Sequence, residues 1–400
     1  MKVLFATWSM QGHYNPLVPL GWALRAAGHE VVVACHPSFA PTVTQAGLPA
    51  LPAGPDVDVL DVLKGRLSKR NWAAGPPPPD GVPDAKRRLL GLRIGVDSAD
   101  AMADDVLAFA RSWRPDLVVF EPNAFVGPLA ATLLGIPSVR LLWTVDFTAR
   151  LGELEAELME PMASRFGLTT IGALGTVTLD PCPPRLQVAD DLPRHPFRYV
   201  PYNGPAVLPD WLREPPSRPR VCVTWGTSLD GLGLDHMVLA PRVVEALADL
   251  DVETVVAVTD RQRDLFPDPP ANVRHIGPVP LQPLLATCDA VVQQGGGGTT
   301  MTALAAGVPQ LVVPHMPDQI FNARHLEATG ASRTLTADEA TVDGLRDAVH
   351  ALLTDPGHRD AAAGLRAESD ARPTPAQTVA LLERLARDGS LPEPSSNPSR

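Results

Sequence analysis

"KVLFAT" (2–7) has the composition of a buried strand, and the next thirty residues leave few folds open. "NPLVPLGWALRAAG" (15–28) reads as a helix with proline in its first turn and Gly28 at its end, and "EVVVAC" (30–35) as a second strand. Strand, helix and strand at this spacing form a βαβ unit, which commits the chain to a parallel sheet covered by helices. The pattern returns at "PDLVVFEP" (115–122), "AFVGPLAATLLG" (124–135) and "PSVRLL" (137–142). Between about Gly54 and Gly95 it fades into proline and charge, as expected of a variable loop region. Prolines then crowd residues 181–219. Beyond them a fresh alternation runs through "RVCVTWGTS", "VETVVAVT", "NVRHIG", "DAVVQQ" and "PQLVVPH". The expected fold is therefore α/β, with two Rossmann-like, doubly wound domains facing each other across a cleft. Residues 1–203 form the first, 204–219 a proline-rich linker and 220–388 the second, and 389–400 are a disordered tail. Helices are expected near 343–353, 357–370 and 375–387, the last packing back on the first domain.

A formal charge of −11 without a long basic run argues against a nucleic-acid partner. The basic neighbourhood of Lys64, Lys69, Arg70 and Lys86 to Arg88 is broken by "GPPPPDG" and reads as a solvated loop. Cys35, Cys182, Cys222 and Cys288 are far apart and form no CxxC, which suits a reducing compartment. No apolar run reaches membrane-spanning length, and the start lacks the charged region and cleavage site of a signal peptide. A cytoplasmic protein with small-molecule partners, no membrane and no nucleic acid is expected, and a homodimer is left open.

In open parallel sheets, ligands bind outside the carboxyl ends of the strands. Five polar clusters fall there: "QGHYNP" after the first strand, Glu121 after "DLVVF", "GTS" (226–228) after "VCVTW", the glycines after "DAVV", and "HMPDQIFN" after "PQLVVP". They can converge on one cleft. The glycines, Gly295 to Gly298, are followed by Thr299, Thr300 and an alanine-rich helix. Glycine after a strand and before a helix N-terminus makes an anion site. Backbone N–H groups point outward, the helix dipole favours negative charge, and missing side chains permit close approach. A diphosphate is the expected guest, and a tight packing turn is the alternative. The chain has no GxxxxGK[ST], no GxGxxG after its first strand, no GxSxG and no HExxH.

"CDAVVQQGGGGTTMTALAAGVPQLVVPHMPDQIFNARHL" (288–326) resembles the donor-binding motif of the family 1 glycosyltransferases of GT-B architecture, closest to the bacterial branch that decorates antibiotics and other natural products. "GHYNPLVPLGWALRAAGHEV" (12–31) is similar to that family's opening. The resemblance implies an inverting transfer of a hexosyl or deoxyhexosyl group from a nucleoside-diphosphate donor, with a dTDP-sugar expected, to a small, largely apolar acceptor. His13 matches the catalytic base and Glu121 an acidic residue, usually Asp, that orients it. Gly226, Thr227 and Ser228 match a loop near the donor phosphate. Gly277 to Leu281, with Val279, match the segment lining the nucleotide base, although a tryptophan common there is Pro278 here. Gly296, Gly297 and Gly298 lie in the phosphate turn, Thr299 and Thr300 match pyrophosphate contacts, and Asp318 with Gln319 match the pair that holds sugar hydroxyls. Gln294 stands where the family usually has a histidine that supports the leaving diphosphate. It keeps a donor and removes the option of charge.

Transfer with inversion requires a base for the acceptor hydroxyl, stabilisation of the leaving diphosphate and exclusion of water. A histidine with a carboxylate behind it supplies the first. "DVD" (56–58) and "DLD" (249–251) lie in loop-like or helix-end settings, so no metal is expected, and no cofactor beyond the nucleotide-sugar co-substrate. "WTVDFT" (143–148) offers Trp143 and Asp146 to line an acceptor pocket, the alternative being a core aromatic with a loop. Two other functions stay open: a catalytically impaired nucleotide-sugar-binding or auxiliary protein, which Gln294 keeps in view, and more weakly a nucleotide-sugar epimerase.

Overall fold

The chain's computed structural model describes residues 1–57, 59, 62, 85–148, 152–226 and 237–391, by backbone alone at 85–91 and 152–153. Its strands form two parallel sheets. The first contains β1 (Lys2–Ala6), β2 (Glu30–Cys35), β3 (Ala50–Pro52), β4 (Leu117–Phe120), β5 (Ser138–Leu141), β6 (Val177–Asp180) and β7 (His195–Pro196), in the order β3-β2-β1-β4-β5-β6-β7. The second contains β8 (Arg220–Thr224), β9 (Glu253–Ala257), β10 (Val273–Gly277), β11 (Ala290–Gln293), β12 (Gln310–Val312) and β13 (Ser332–Thr334), in the order β10-β9-β8-β11-β12-β13. Both are doubly wound, with helices on both faces.

Alternation of side chains along each strand explains how both faces become core. Leu4, Ala6, Val118 and Phe120 belong to one buried cluster, with residues of the helices Ala85–Trp113 and Val126–Leu134. Their neighbours Val3, Phe5, Leu117 and Val119 belong to the opposite cluster, with Leu20 and Leu24 of the helix Val18–Ala26. That second cluster also takes Val379, Leu382 and Leu385 from the final helix, Pro375–Asp388, so the end of the chain packs on the first sheet. His29 Nε2 lies 3.0 Å from Glu383 Oε1 on the same contact. No helix among the described residues is long and apolar enough to cross a membrane.

Each sheet has a switch point where the winding reverses, between β1 and β4 and between β8 and β11. Pairing of Ala6 with Phe120 sets the segment after β1 beside Glu121. Pairing of Val292 with Val223 sets the glycines beside the loop that begins at Gly226. The sequence clusters with the strongest chemical signal thus occupy the two switch points.

Several elements depart from expectation. β3, β6, β7 and β13 are two to four residues long and show no readable alternation. β7 lies inside the proline-crowded stretch and pairs with β6, so that stretch is partly sheet edge. The helix Ala85–Trp113 begins in the region expected to be loop, where charge and an earlier proline run obscure its period. Lys64, Lys69, Arg70 and residues 392–400 of the expected tail lie outside the described residues.

Candidate active site

The short helix Gln11–Tyr14 follows β1 and carries His13 over the end of the first sheet. Glu121 is wholly buried directly after β4. A buried carboxylate is costly unless hydrogen-bonded, and this one is well served. Its Oε1 accepts the Trp8 N–H at 2.8 Å. Its Oε2 accepts the Asn123 N–H at 3.0 Å and lies 2.9 Å from His13 Nδ1. With Nδ1–H donated to Glu121, the lone pair belongs to His13 Nε2. Trp8 and Trp143 flank the imidazole, at ring-centroid distances of 4.8 and 4.5 Å. Of the expected acceptor pair, Trp143 is therefore at the site.

Asp146 is not an acceptor-facing residue. Its carboxylate receives Arg140 Nη2 at 2.7 Å and the Thr148 hydroxyl at 2.8 Å in the interior, and the half-buried Arg194 Nη2 at 3.2 Å. It is the hub of a buried charge network beneath the 142–148 loop. Glu155 lies nearby, its carboxyl pushed up to about 7 by burial, with Arg140 opposing the rise and Asp146 adding to it.

The glutamines before the glycine turn have different roles. Gln293 is fully buried; its amide donates to Thr300 Oγ1 at 3.0 Å and Gln310 Oε1 at 2.8 Å and accepts the Gly295 N–H at 2.8 Å. It fixes the turn from behind. Nothing in the motif singles it out, although a polar residue closing a buried strand must find partners. Gln294 is also buried, with its amide turned toward Gly226. A Cβ on Gly226 would come within 2.8 Å of its Nε2, and its buried Oε1 has no protein partner.

The four glycines also differ. Gly295 has φ +95°, a left-handed conformation that side chains resist. A Cβ on Gly297 would meet Thr144 Cγ2 at 2.9 Å and Trp143 Cδ1 at 3.0 Å, both from the first half. At Gly298 a Cβ would meet nothing within 4 Å, which leaves the approach open. Close packing and anion access are thus both features of this turn. Gly296 caps the helix Gly297–Ala306, whose first N–H groups include those of Gly297, Gly298 and Thr299. Thr300 is buried and its hydroxyl accepts from Gln293, so it is occupied behind the turn and not in front of it.

Asp318 opens the helix Pro317–Glu327 and is exposed to solvent. Desolvation by the surrounding protein raises its carboxyl above the usual range, against the backbone N–H groups of Asp318 and Gln319 and the charge of His13. Gln319 is more committed than expected. Its Oε1 accepts the N–H groups of His315 and Met316 at 2.9 and 3.0 Å, leaving the NH2 alone to donate to a ligand. Val279 follows β10 and packs on a cluster containing Leu284 and Leu285. Thr227 and Ser228 lie outside the described residues.

Residues 22–226 match the N-terminal domain of the erythromycin biosynthesis protein CIII-like family, and residues 241–385 match its C-terminal domain. The chain belongs to this family. It is a glycosyltransferase of GT-B fold. It is 38% identical to aklavinone 7-beta-L-rhodosaminyltransferase of Streptomyces galilaeus, over 98% of this chain and 98% of that protein. It is also 38% identical to 10-deoxymethynolide desosaminyltransferase of Streptomyces venezuelae, over 98% of this chain and 99% of that one. The solved structure of glycosyltransferase VinC in complex with DTDP matches with a TM-score of 0.82 at 34% identity, covering 97% of this chain and all (100%) of that one.

Proposed function

We propose that this enzyme moves a hexosyl or deoxyhexosyl group, with inversion, from a thymidine diphosphate donor to a hydroxyl of a small, largely apolar natural product. The observation that carries the proposal is the His13–Glu121 pair, 2.9 Å apart, packed on Trp143, which in turn lies against Gly297 of the glycine turn. His13 Nε2 takes the acceptor proton as the acceptor oxygen bonds to the anomeric carbon, and Glu121 stabilises the resulting imidazolium. The bond from that carbon to the diphosphate breaks, and its electron pair leaves with the diphosphate oxygen. N–H groups at the head of Gly297–Ala306, the Thr299 hydroxyl and the Gln294 amide receive the charge. Asp318 and the Gln319 NH2 hold the sugar. Trp8, Val59 and Ile94, with Met10 and Val62, form an apolar wall beside His13 that suits an apolar acceptor. Backbone donors supply the charge stabilisation, so no metal is invoked.

The names of the relatives and the nucleotide in the solved relative direct the test. Thymidine diphosphate sugars are offered with aklavinone or 10-deoxymethynolide, in excess EDTA. Acceptor-dependent release of thymidine diphosphate is expected. Release that requires added magnesium, or tight binding of the sugar nucleotide without release to any acceptor, would overturn the proposal; the latter favours the binding or auxiliary protein that Gln294 suggests.

Gln294→His is expected to keep or raise turnover, because a protonated imidazole offers the diphosphate a charge-assisted hydrogen bond. Steady-state kinetics decide the point. A loss beyond about tenfold, about 1.4 kcal/mol of barrier, would mean that the amide itself is required.

A further inference from the structure

Among the contacts between the two halves, which include the Tyr199 hydroxyl donating to the Gly298 carbonyl at 3.4 Å, one buried amide bonds to both half-sites at once. Asn322, on the helix Pro317–Glu327, is buried at 2% exposure between the halves. Its Oδ1 accepts the Thr144 hydroxyl at 3.3 Å, and its Nδ2 donates to the Gly295 carbonyl at 3.1 Å. Thr144 comes from the loop after β5, next to Trp143, which packs on the base His13. Gly295 is the positive-φ residue that starts the diphosphate turn. Both ends of the amide are thus occupied, one by each half. The contact is tight around it, since Thr144 and Trp143 lie against Gly297, where a Cβ would collide with them. The series His13, Trp143, Thr144, Asn322, Gly295 runs unbroken from the catalytic base to the donor turn.

We infer that Asn322 is a positioning residue that latches the Trp143–Thr144 loop onto the glycine turn, so that closure of the cleft and formation of the donor cradle are one event. Its catalytic consequence rests on the function proposed above; the latch itself does not. A contact that both closes the cleft and shapes the turn must couple the two. Loss of the first-half hydroxyl, which bonds to Asn322 and not to the turn, then weakens nucleotide binding through Asn322.

The test uses the full chain with Thr144→Val, which removes the hydroxyl at nearly constant shape, Thr144→Ser, which keeps it, Asn322→Ala, and the double variant Thr144→Val/Asn322→Ala. Small-angle scattering of the ligand-free proteins is expected to show a larger radius of gyration for Thr144→Val and Asn322→Ala than for the wild type and Thr144→Ser. Calorimetry with thymidine diphosphate is expected to show affinity lowered about fivefold in Thr144→Val, restored in Thr144→Ser, and no further loss when Thr144→Val is added to Asn322→Ala. If Asn322→Ala does not fold, the comparison of Thr144→Val with Thr144→Ser stands alone. Unchanged compaction together with unchanged affinity in Thr144→Val would overturn the latch. A wild type that binds no thymidine diphosphate but expands in Thr144→Val would retain the latch and remove the proposed donor.

Discussion

His13→Ala is expected to slow transfer to a hydroxyl acceptor by about 100- to 10,000-fold, while thymidine diphosphate binding is largely kept. The imidazole stands at the switch point of the first sheet, with Nδ1 committed to Glu121 and Nε2 left to take a proton. The donor turn lies in the other sheet and Trp143 stands between it and His13, so the substitution removes the base and leaves the turn's own residues unchanged. His13 is partly exposed on a short surface helix, which makes folding damage modest. Turnover, nucleotide affinity and the melting temperature should be measured together. Near-normal turnover would place the base elsewhere, or mean that the acceptor arrives already ionised. Glu121→Gln is a poorer companion variant. The carboxylate accepts from Trp8, Asn123 and His13 with two oxygens, and an amide would turn an NH2 toward at least one of those donors. Leaving such a group unpaired costs about 1–3 kcal/mol, so that variant mixes stability with catalysis.

Asp146→Ala is expected to destabilise the first half by about 3–5 kcal/mol. Arg140 would remain buried without its carboxylate and the Thr148 hydroxyl would lose its acceptor, while Arg194 would keep Asp190. Glu155 limits the damage. Its raised carboxyl is held protonated partly by Asp146, and without that charge it can ionise beside Arg140. The cost should therefore fall toward the lower end of the range near neutral pH and grow as the pH drops from about 7, the wild-type value, toward the lower pH at which Glu155 is protonated in the variant as well. Urea denaturation across pH is the measurement. A cost below about 1 kcal/mol, the scale of an exposed pair, would contradict the hub assigned to Asp146.

Much of this architecture is legible in the sequence because the central strands are long apolar runs. β1, β2 and β4 bury their residues on two helical layers, so the run itself is the signal. His13 and Glu121 are legible for a related reason, being polar residues placed just past such runs. Asp146 occupies the same kind of position and misleads, because a loop carboxylate looks alike whether it faces a cleft or a buried arginine. The telling sign is Arg140, a charge inside the strand "SVRL", which demands a buried partner. Gln293 gives a similar sign at the end of β11, but its partner Gln310 lies on the neighbouring strand. Asn322 gives none. Its partner Thr144 is 178 residues away in the other half, and no local period encodes that meeting.

The anomeric configuration of the sugar in donor and product tests the central claim most directly. A base on the acceptor side with the diphosphate leaving toward the opposite half permits attack only from the face away from the leaving group. One-bond carbon–proton couplings at the anomeric centre, read by NMR on the thymidine diphosphate sugar and on the glycosylated acceptor, should report opposite configurations. The same configuration in both would contradict the assignment of His13 as the base of a single displacement.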